Sequence, residues 1–578
     1  MLVALALTVV VIMVFQFLFP TPVPSRTRNL AIDSTRAVAS STASGAAASG
    51  AAASGTSPVT TPSGGQAGAQ PGAAGAQAGA PAGVPAVRPE TIAVKTAHAV
   101  FEMTNVGAVP VGVTMLDYHD TRPGDETTPV DLGRPGVPLL RYRLIGPHDT
   151  LDLGTVAFQA TQATTPNGPT VTYTADVRDA HVTIAYSFPA ADGYLAQVAG
   201  DVRGVTNGYL LVELPNGFAS TEADTLDDQR RLAYAFKPVR SDPEAKLFSK
   251  LNPGEPQIVK GPLGWVAAKN KYFVVGLIAP RDSSHVFDEV QLVGVQKAPQ
   301  AKTATLAAAT AIQSLKNGAF GFELYAGPQE WRRLHALGRD FEDVNPYGGF
   351  FHALVQPFAT LIMRIILWMR VHLQLNYGWV IIIFGVAIRV LLWPLNQRAM
   401  RTSLKMQALQ PELQVVQTKY KSDPQKLQTE MMKVYKAHGM SPFSPVAGCL
   451  PMLIPMPILF TLLFVFQNTI EFRGVPFLWL HDISVKDPYY VLPLFMGATA
   501  YLVSWIGMRN QPPNPQTKMM SYMFPVMMTV FLANVSAGLN LYYAVQNLAT
   551  LPQQWLLSNE RAKAAARVSG SSVTAGKT

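Results

Sequence analysis

Apolar residues run almost unbroken from Leu2 to Phe19, and Pro20 closes the run. About 18 residues is long for the apolar core of a signal peptide and just enough to span a membrane. The pattern predicts a transmembrane signal anchor over 1–20. No positive residue precedes the run, whereas Arg26 and Arg28 follow it. An anchor with a cytoplasmic N-terminus has the reverse arrangement. Either the chain starts upstream of Met1 or later signals set the orientation, and cleavage in the following Ala/Ser stretch is the alternative. Over 21–88 large apolar residues nearly vanish, replaced by Ala, Gly, Ser, Thr, Pro and Gln. Such a segment cannot build a core and predicts a disordered tether; its SGAAASGAAASG stretch is low complexity, not a solenoid repeat.

The texture then becomes short alternating runs: TIAVKT, AVFEMTN, VTYTADV, HVTIAYSF, YLLVEL, KYFVVGLIA and FDEVQLVGV, punctuated by Asp, Asn, Gly and Pro. Period-two alternation bounded by turn residues predicts an antiparallel β-sandwich over 89–340. Its chemistry is sparse. His98, His119, His148, His181 and His285 are scattered without metal-ligand spacing, and no Ser/His/Asp set or Gly-rich phosphate loop stands out. Asp224, Asp227 and Asp228 form an acidic cluster, read as a solvated loop.

From 341 to 375 the period lengthens. Phe351, Leu354, Phe358, Leu361, Ile365, Trp368 and Met369 recur at helical spacing, broken by Arg364, Arg370 and His372. This predicts an amphipathic helix lying in the membrane interface. The segment YGWVIIIFGVAIRVLLWPLNQ over 376–397 is long enough to cross, since roughly 20 residues at about 1.5 Å each cover a ~30 Å hydrocarbon core. It carries Arg389 about eight residues from its Gln397 end, or ~12 Å deep. A guanidinium keeps its proton, and burying it in lipid costs from ~3 to over 10 kcal/mol. Arg389 must therefore face water, a partner or a protein-lined groove; snorkelling to the headgroups is the bland alternative.

Over 398–445 the chain turns polar and basic. Arg398, Arg401, Lys405, Lys419, Lys421, Lys426, Lys433 and Lys436 outnumber Glu412, Asp423 and Glu430. Met406, Leu409, Leu413, Val416 and Tyr420 make one narrow apolar seam, and Leu427, Met431, Val434 and His438 another. Ser422-Asp423-Pro424 between them stops one helix and starts the next. The reading is a basic helical hairpin. Four more spans are predicted at 446–467, 489–508, 519–535 and 538–557. Lys and Arg excess marks the cytoplasm. It places the hairpin, the Arg509–Lys518 loop and the tail 558–578 inside, and the β domain and the 468–488 loop outside.

Composition agrees with a membrane protein joined to a soluble part: 48% hydrophobic, 14% charged, net charge +9. The lone Cys449 excludes an intrachain disulfide, which suits a bacterial envelope at least as well as an animal cell surface. The last span carries Asn540, Tyr543 and Asn547 at i, i+3, i+7, with Gln546 nearby. These are groove candidates, or ordinary interhelical glue. Met496, Met519, Met520, Met523, Met527 and Met528 offer adaptable apolar surface, or plain core.

The segments AIRVLLWPLNQRAMRTSLKMQALQPELQ, SPVAGCLPMLIPMPILF, LWLHDISVKDPYYVLPLFMG and SAGLNLYYAVQNL, in that order, resemble the YidC-type membrane protein insertases of bacteria. The resemblance is strong over about 340–560, and the anchor, tether and β domain match the Gram-negative layout. It implies a multi-pass α-helical inner-membrane protein: a five-span core plus the anchor, a periplasmic β-sandwich, a cytoplasmic hairpin and a cytoplasmic C-terminus. It implies a nucleotide-independent insertase and chaperone, not an enzyme, with no cofactor or metal. Arg389 would make a cytoplasm-open groove hydrophilic and attract acidic residues of incoming segments. The family's apolar slide falls on Gly385, Leu459, Met496, Phe531 and Tyr543. Gly385 stands where a polar residue is expected, which argues against a contact role there. Cys449 falls in the turn joining the hairpin to the next span, a structural position.

Implied partners are nascent membrane proteins, membrane lipids and the Sec translocon, the last assigned to the β domain. The signal recognition particle receptor and the ribosome are further candidates, although the tail is shorter and less basic than a ribosome-binding tail. No sequence-specific nucleic-acid binding is implied. Two rival readings stand beside this one. A small-solute or lipid transporter should show paired repeats and several buried charges. A membrane-tethered carbohydrate-binding protein or enzyme should show a carboxylate pair in a cleft of the β domain.

Overall fold

The computed structural model describes residues 87–575 apart from 148, 206, 283–285, 296–305, 346–351, 422, 439–455 and 510–514. The expected anchor, nearly all of the tether, His148, His285 and Cys449 lie outside the described residues. Strands occupy most of 91–328. Thr91–Lys95, Ala99–Thr104, Val109–His119 and Pro129–Asp131 form a small antiparallel meander. A larger antiparallel sheet starts at the edge strand Thr150–Asp152 and ends at the edge strand Gln159–Thr165.

Alternation produces this sheet. Ala180–Ser187 buries every second residue, so one face packs inward and the other meets solvent. Phe273–Ile278 is buried at all six positions and lies in the interior. Pro256–Lys269 bends the sheet. Its first half pairs with Phe287–Gly294 and its second with Phe273–Ile278, the register breaking between Lys260 and Leu263. Pro262 falls in that break, where a residue without an N–H cannot continue the ladder. Tyr186 ties the two sheets: its hydroxyl donates to the Ala108 carbonyl at 2.8 Å and lies 2.7 Å from the Tyr142 hydroxyl.

Ten helices are described: α1 (Thr225–Arg230), α2 (Trp331–Leu337), α3 (His352–Leu373), α4 (Tyr377–Ala408), α5 (Gln410–Lys419), α6 (Pro424–Ala437), α7 (Met456–Asn468), α8 (Val491–Met508), α9 (Pro515–Leu532) and α10 (Ala537–Ala575). Among the described residues, Tyr377–Pro394 and Val491–Met508 are long and apolar enough to cross a membrane, and Lys518–Leu532 is a shorter apolar stretch. α10 covers another expected span but is interrupted by Asn540, Gln546, Asn547, Gln553 and Gln554. It packs against α4, α7 and α8. α3 turns Val355, Ala359, Ile362, Met363 and Ile366 onto the protein, mainly against α7. Phe358, Leu361 and Trp368, part of the expected apolar stripe, point outward and are exposed. In the hairpin, Leu409 and Leu413 meet Tyr435, with Met431 and Val434 beside them, and Asp423 caps α6 by accepting from the Lys426 N–H at 3.1 Å.

The β domain and the helices are joined through the segment after α7. Ile470 is buried in the β-domain core. The Arg473 Nε donates to both Glu222 oxygens, at 2.9 and 3.1 Å, with both side chains buried. Arg231 on the β side binds Asn468 and, at 3.2 Å, Gln467. The acidic cluster therefore differs from the expected solvated loop. Asp224 caps α1, Asp227 pairs with Arg231 and Lys271, and Asp228 is buried and accepts from the Lys271 N–H. Glu471 accepts from the Trp331 N–H at 3.1 Å, while its Oε2 is buried without a hydrogen-bond partner. Burial pushes this carboxyl up to about 7, against the opposing pull of its own backbone N–H and that of Trp331.

Two outcomes test this junction. Removing one member of a buried ion pair leaves an uncompensated charge, typically a loss of about 3–5 kcal/mol. Arg473→Ala or Glu222→Ala should thus lower the thermal midpoint of the purified protein and speed amide exchange over 468–488. The double change Arg473→Met with Glu222→Leu should be milder than either; equal or greater damage would contradict a buried pair. The second outcome concerns pH. Because the folded pKa of Glu471 lies above the ordinary 4.5, its contribution is fully favourable below about 4.5. It weakens as pH rises toward about 7 and is flat above. The span corresponds to on the order of 3 kcal/mol. Thermal melts at pH 5 and 8 should show this loss in the wild type and a much smaller one in Glu471→Gln.

Candidate functional site

Arg389 sits half-buried on α4. Its Nη2 donates to the Gln553 Oε1 of α10 at 2.5 Å, and its Nε is buried with no hydrogen-bond partner. Gln553 is fully buried and donates through Nε2 to the Gln397 Oε1 at 3.3 Å. One amide thus links two positions on α4, about two turns apart. Two turns earlier on α10, the Gln546 Nε2 donates to the Gly385 carbonyl at 2.7 Å and to the Tyr542 hydroxyl at 3.1 Å.

Helical geometry explains the alignment. At about 100° per residue, Tyr542, Gln546 and Gln553 fall within about 40° of one another on α10. Gly385 permits the close approach that lets them reach α4. A Cβ there would meet Val545 Cγ1 at 3.2 Å and the Tyr542 ring at 3.5 Å. Asn540 and Asn547 lie on another face, about 100–160° away from this stripe. The Asn540 Nδ2 donates to the Leu532 carbonyl at 2.9 Å, closing the end of α9. The Asn547 Nδ2 donates to the Met496 carbonyl and the Thr499 hydroxyl, each at 3.2 Å, binding α10 to α8.

The candidates therefore separate. Arg389 and Gln546 share the α4–α10 seam with Gly385. Met496 is buried between α8 and α10, and Tyr543 is half-buried with its ring 5.9 Å from that of Tyr542. Phe531 is half-buried on α9. The Leu459 side chain lies outside the described residues, as do those of Arg398, Arg401 and Lys405. Lys419 and Lys421 are exposed on the hairpin. Sequence reasoning passed over Tyr542, Gln553 and Gln397. The i, i+4, i+11 recurrence of Tyr542, Gln546 and Gln553 was the available signal.

A cation on a helix long and apolar enough to cross a membrane, in a chain that also carries a large β domain, fits a helical membrane protein with an extramembranous β module. The helical part matches the 60Kd inner membrane protein family over residues 368–564, and the β part matches the YidC periplasmic domain over residues 91–361. Membrane protein insertase YidC of Chlorobaculum tepidum is 32% identical over 457 residues, 73% of this chain and 74% of that protein. The YidC of Chlorobaculum parvum is 36% identical over 333 residues, 54% of this chain and 55% of that protein. The YidC of Chlorobium limicola is 35% identical over 315 residues, 52% of each. The chain thus spans about half the length of the last two relatives. A crystal structure of an active YidC insertase aligns with 81% of this chain and 93% of that chain at 18% identity, with a TM-score of 0.32, too low to add to the sequence matches. The chain belongs to the YidC family. It is an inner membrane protein with a β-rich periplasmic domain.

Gly385 offers a direct test of the seam. Gly385→Ala needs a shift of a few tenths of an ångström at Val545, set against the roughly 1 kcal/mol of helix propensity that alanine gains over glycine, and should leave stability within about 1 kcal/mol of wild type. Gly385→Leu overfills the contact, a change that typically costs about 1–3 kcal/mol, and should also break the Gln546 bond. Thermal stability in detergent should place the Ala variant close to wild type and the Leu variant well below both. A Leu variant as stable as wild type would contradict the close approach.

Proposed function

We propose that this protein is a non-enzymatic membrane protein insertase and folding chaperone that moves apolar segments of nascent proteins into the bilayer. The observation that carries the reading is Arg389: a permanent cation inside an apolar span, hydrogen-bonded to a neutral amide. Carboxylates that could neutralise it are scarce. α4 and α7–α10 hold one carboxylate between them, Glu560. Such a cation attracts an acidic client tail, and the water it holds shortens the lipid path that tail must cross. Burial of the client's apolar helix then drives the step without nucleotide. Family membership and the names of the relatives support the same activity.

The finer picture is part of the proposal. Five core spans start at 376 and end at 557, with the hairpin, the Arg509–Lys518 loop and the C-terminus in the cytoplasm. The groove opens to the cytoplasm and to lipid. Phe531 and Tyr543 serve as slide contacts, whereas Met496 and Gly385, both buried, act through packing. The hairpin receives clients through Arg398, Arg401, Lys405, Lys419 and Lys421. The periplasmic domain meets the Sec translocon, and the signal recognition particle receptor and ribosome deliver clients.

The test is Arg389→Ala and Arg389→Lys in cells depleted of their own insertase, scoring insertion of short clients with acidic or neutral external tails. Arg389→Ala should reduce acidic-tail insertion roughly tenfold, equivalent to ~1.4 kcal/mol, and Arg389→Lys should restore most of it. Equal performance of Arg389→Ala on both clients would refute the electrostatic role.

A further inference from the structure

We propose that Gln553 is a positioning residue for insertion: its neutral amide orients the Arg389 guanidinium without neutralising it, so that the charge stays available to acidic client segments. The inference rests on the insertase reading above and deepens it. Three observations carry it. Gln553 is fully buried, and both ends of its amide are engaged across the seam, the oxygen by Arg389 at 2.5 Å and the nitrogen by Gln397 at 3.3 Å. A rotated amide would set its NH2 against the Arg389 guanidinium, donor against donor, so this orientation is the one that Arg389 can bond. The nearest carboxylate along α10, Glu560, is seven residues on, about 10 Å by helical rise.

The choice of acceptor matters physically. A buried cation usually finds a carboxylate, which adds an opposite charge to a bond that the guanidinium already makes charge-assisted. A carboxylate at 553 would fix the guanidinium equally well but cancel its field over the groove. An amide fixes geometry and leaves the field. It also does not titrate, so the orientation is independent of pH. Gln546 extends the same device one step along the seam, satisfying the Gly385 carbonyl with a neutral donor. The α4–α10 contact is thus lined by amides that hold position while Arg389 supplies the charge.

Gln553→Glu separates this role from simple packing, because it preserves size and the bond to Arg389 while adding one negative charge. The full-length variant is expressed in insertase-depleted cells beside Arg389→Ala and Gln553→Leu, and the ratio of acidic-tail to neutral-tail client insertion is measured. That ratio should fall about tenfold in Gln553→Glu, close to Arg389→Ala, as expected when an ion pair replaces a free cation. Gln553→Leu, which removes the acceptor without adding charge, should lower the ratio less. Should Gln553→Glu fail to accumulate in the membrane, Gln553→Leu decides: a lowered ratio supports the assignment and an unchanged ratio overturns it. If Arg389→Ala lowers the ratio but both Gln553 variants leave it unchanged, only the role of Gln553 falls. If Arg389→Ala itself leaves the ratio unchanged, the groove-charge reading fails and the Gln553 role falls with it.

Discussion

The cost of keeping a guanidinium among apolar helices organises the membrane part of this protein. Arg389 cannot lose its proton, and lipid offers it nothing. Its position is tolerable only where another helix brings a polar acceptor within hydrogen-bond range. Gln553 is that acceptor, and α10 reaches it only because Gly385 leaves room for the Tyr542 ring and Val545. The constraint therefore propagates from a charge, to an amide, to the absence of a side chain one turn from the charge. Each step limits the next: a bulkier residue at 385 would move α10 away, and the amide would no longer reach.

α10 carries a second polar face for a different purpose. Asn540 and Asn547 donate to backbone carbonyls of α9 and α8. These bonds are of the kind that joins transmembrane helices, each typically worth about 0.6–2 kcal/mol. A third attachment lies at the start of α10, where the Ala537 and Gly538 N–H groups donate to the Val485 and Ile483 carbonyls at 2.7 and 2.9 Å. The first-turn donors of a helix have no partner within it, and here the 468–488 loop supplies them. The same loop holds Arg473, which is buried against Glu222 of the β domain. One helix thus ties α4, α8, α9 and the 468–488 loop together through bonds that its own residues make, and the loop in turn reaches the β domain through Arg473.

Much of this layout was legible in the sequence, and the exceptions share a cause. Periodicity marks the strands, the hairpin seam and the long apolar segments, because each follows from the local repeat of one element. Arg389 stood out because a charge inside an apolar run is anomalous by itself. Its partner did not. Gln553 lies 164 residues away, and a glutamine near the end of a span reads as ordinary. Asn540, Tyr543 and Asn547 looked like one face, yet the structure uses the asparagines as ties to α8 and α9 and turns Gln546 toward α4. Spacing identifies a shared face but not what it meets. The acidic cluster at 224–228 was misread in part for the same reason: Arg231 pairs with Asp227 locally at i, i+4, but Lys271, which bonds both Asp227 and Asp228, reaches the cluster only in three dimensions.

The junction between the β domain and the helices poses a separate physical question, because buried ion pairs are weak sources of stability. The desolvation of Glu222 and Arg473 offsets most of their attraction, and an apolar pair of similar volume would hold at least as well. Burial even raises the Glu222 carboxyl above its ordinary range with Arg473 against it. What a polar junction provides instead is direction. Arg473 accepts one orientation of Glu222, Arg231 reaches Gln467 and Asn468 only from one side, and Glu471 accepts from a single N–H of α2. An apolar contact centred on Ile470 alone would hold the domain but permit it to slide. Adding charged groups to that contact fixes the register between a β domain in water and a helix bundle in lipid, where no continuous hydrophobic core can do so.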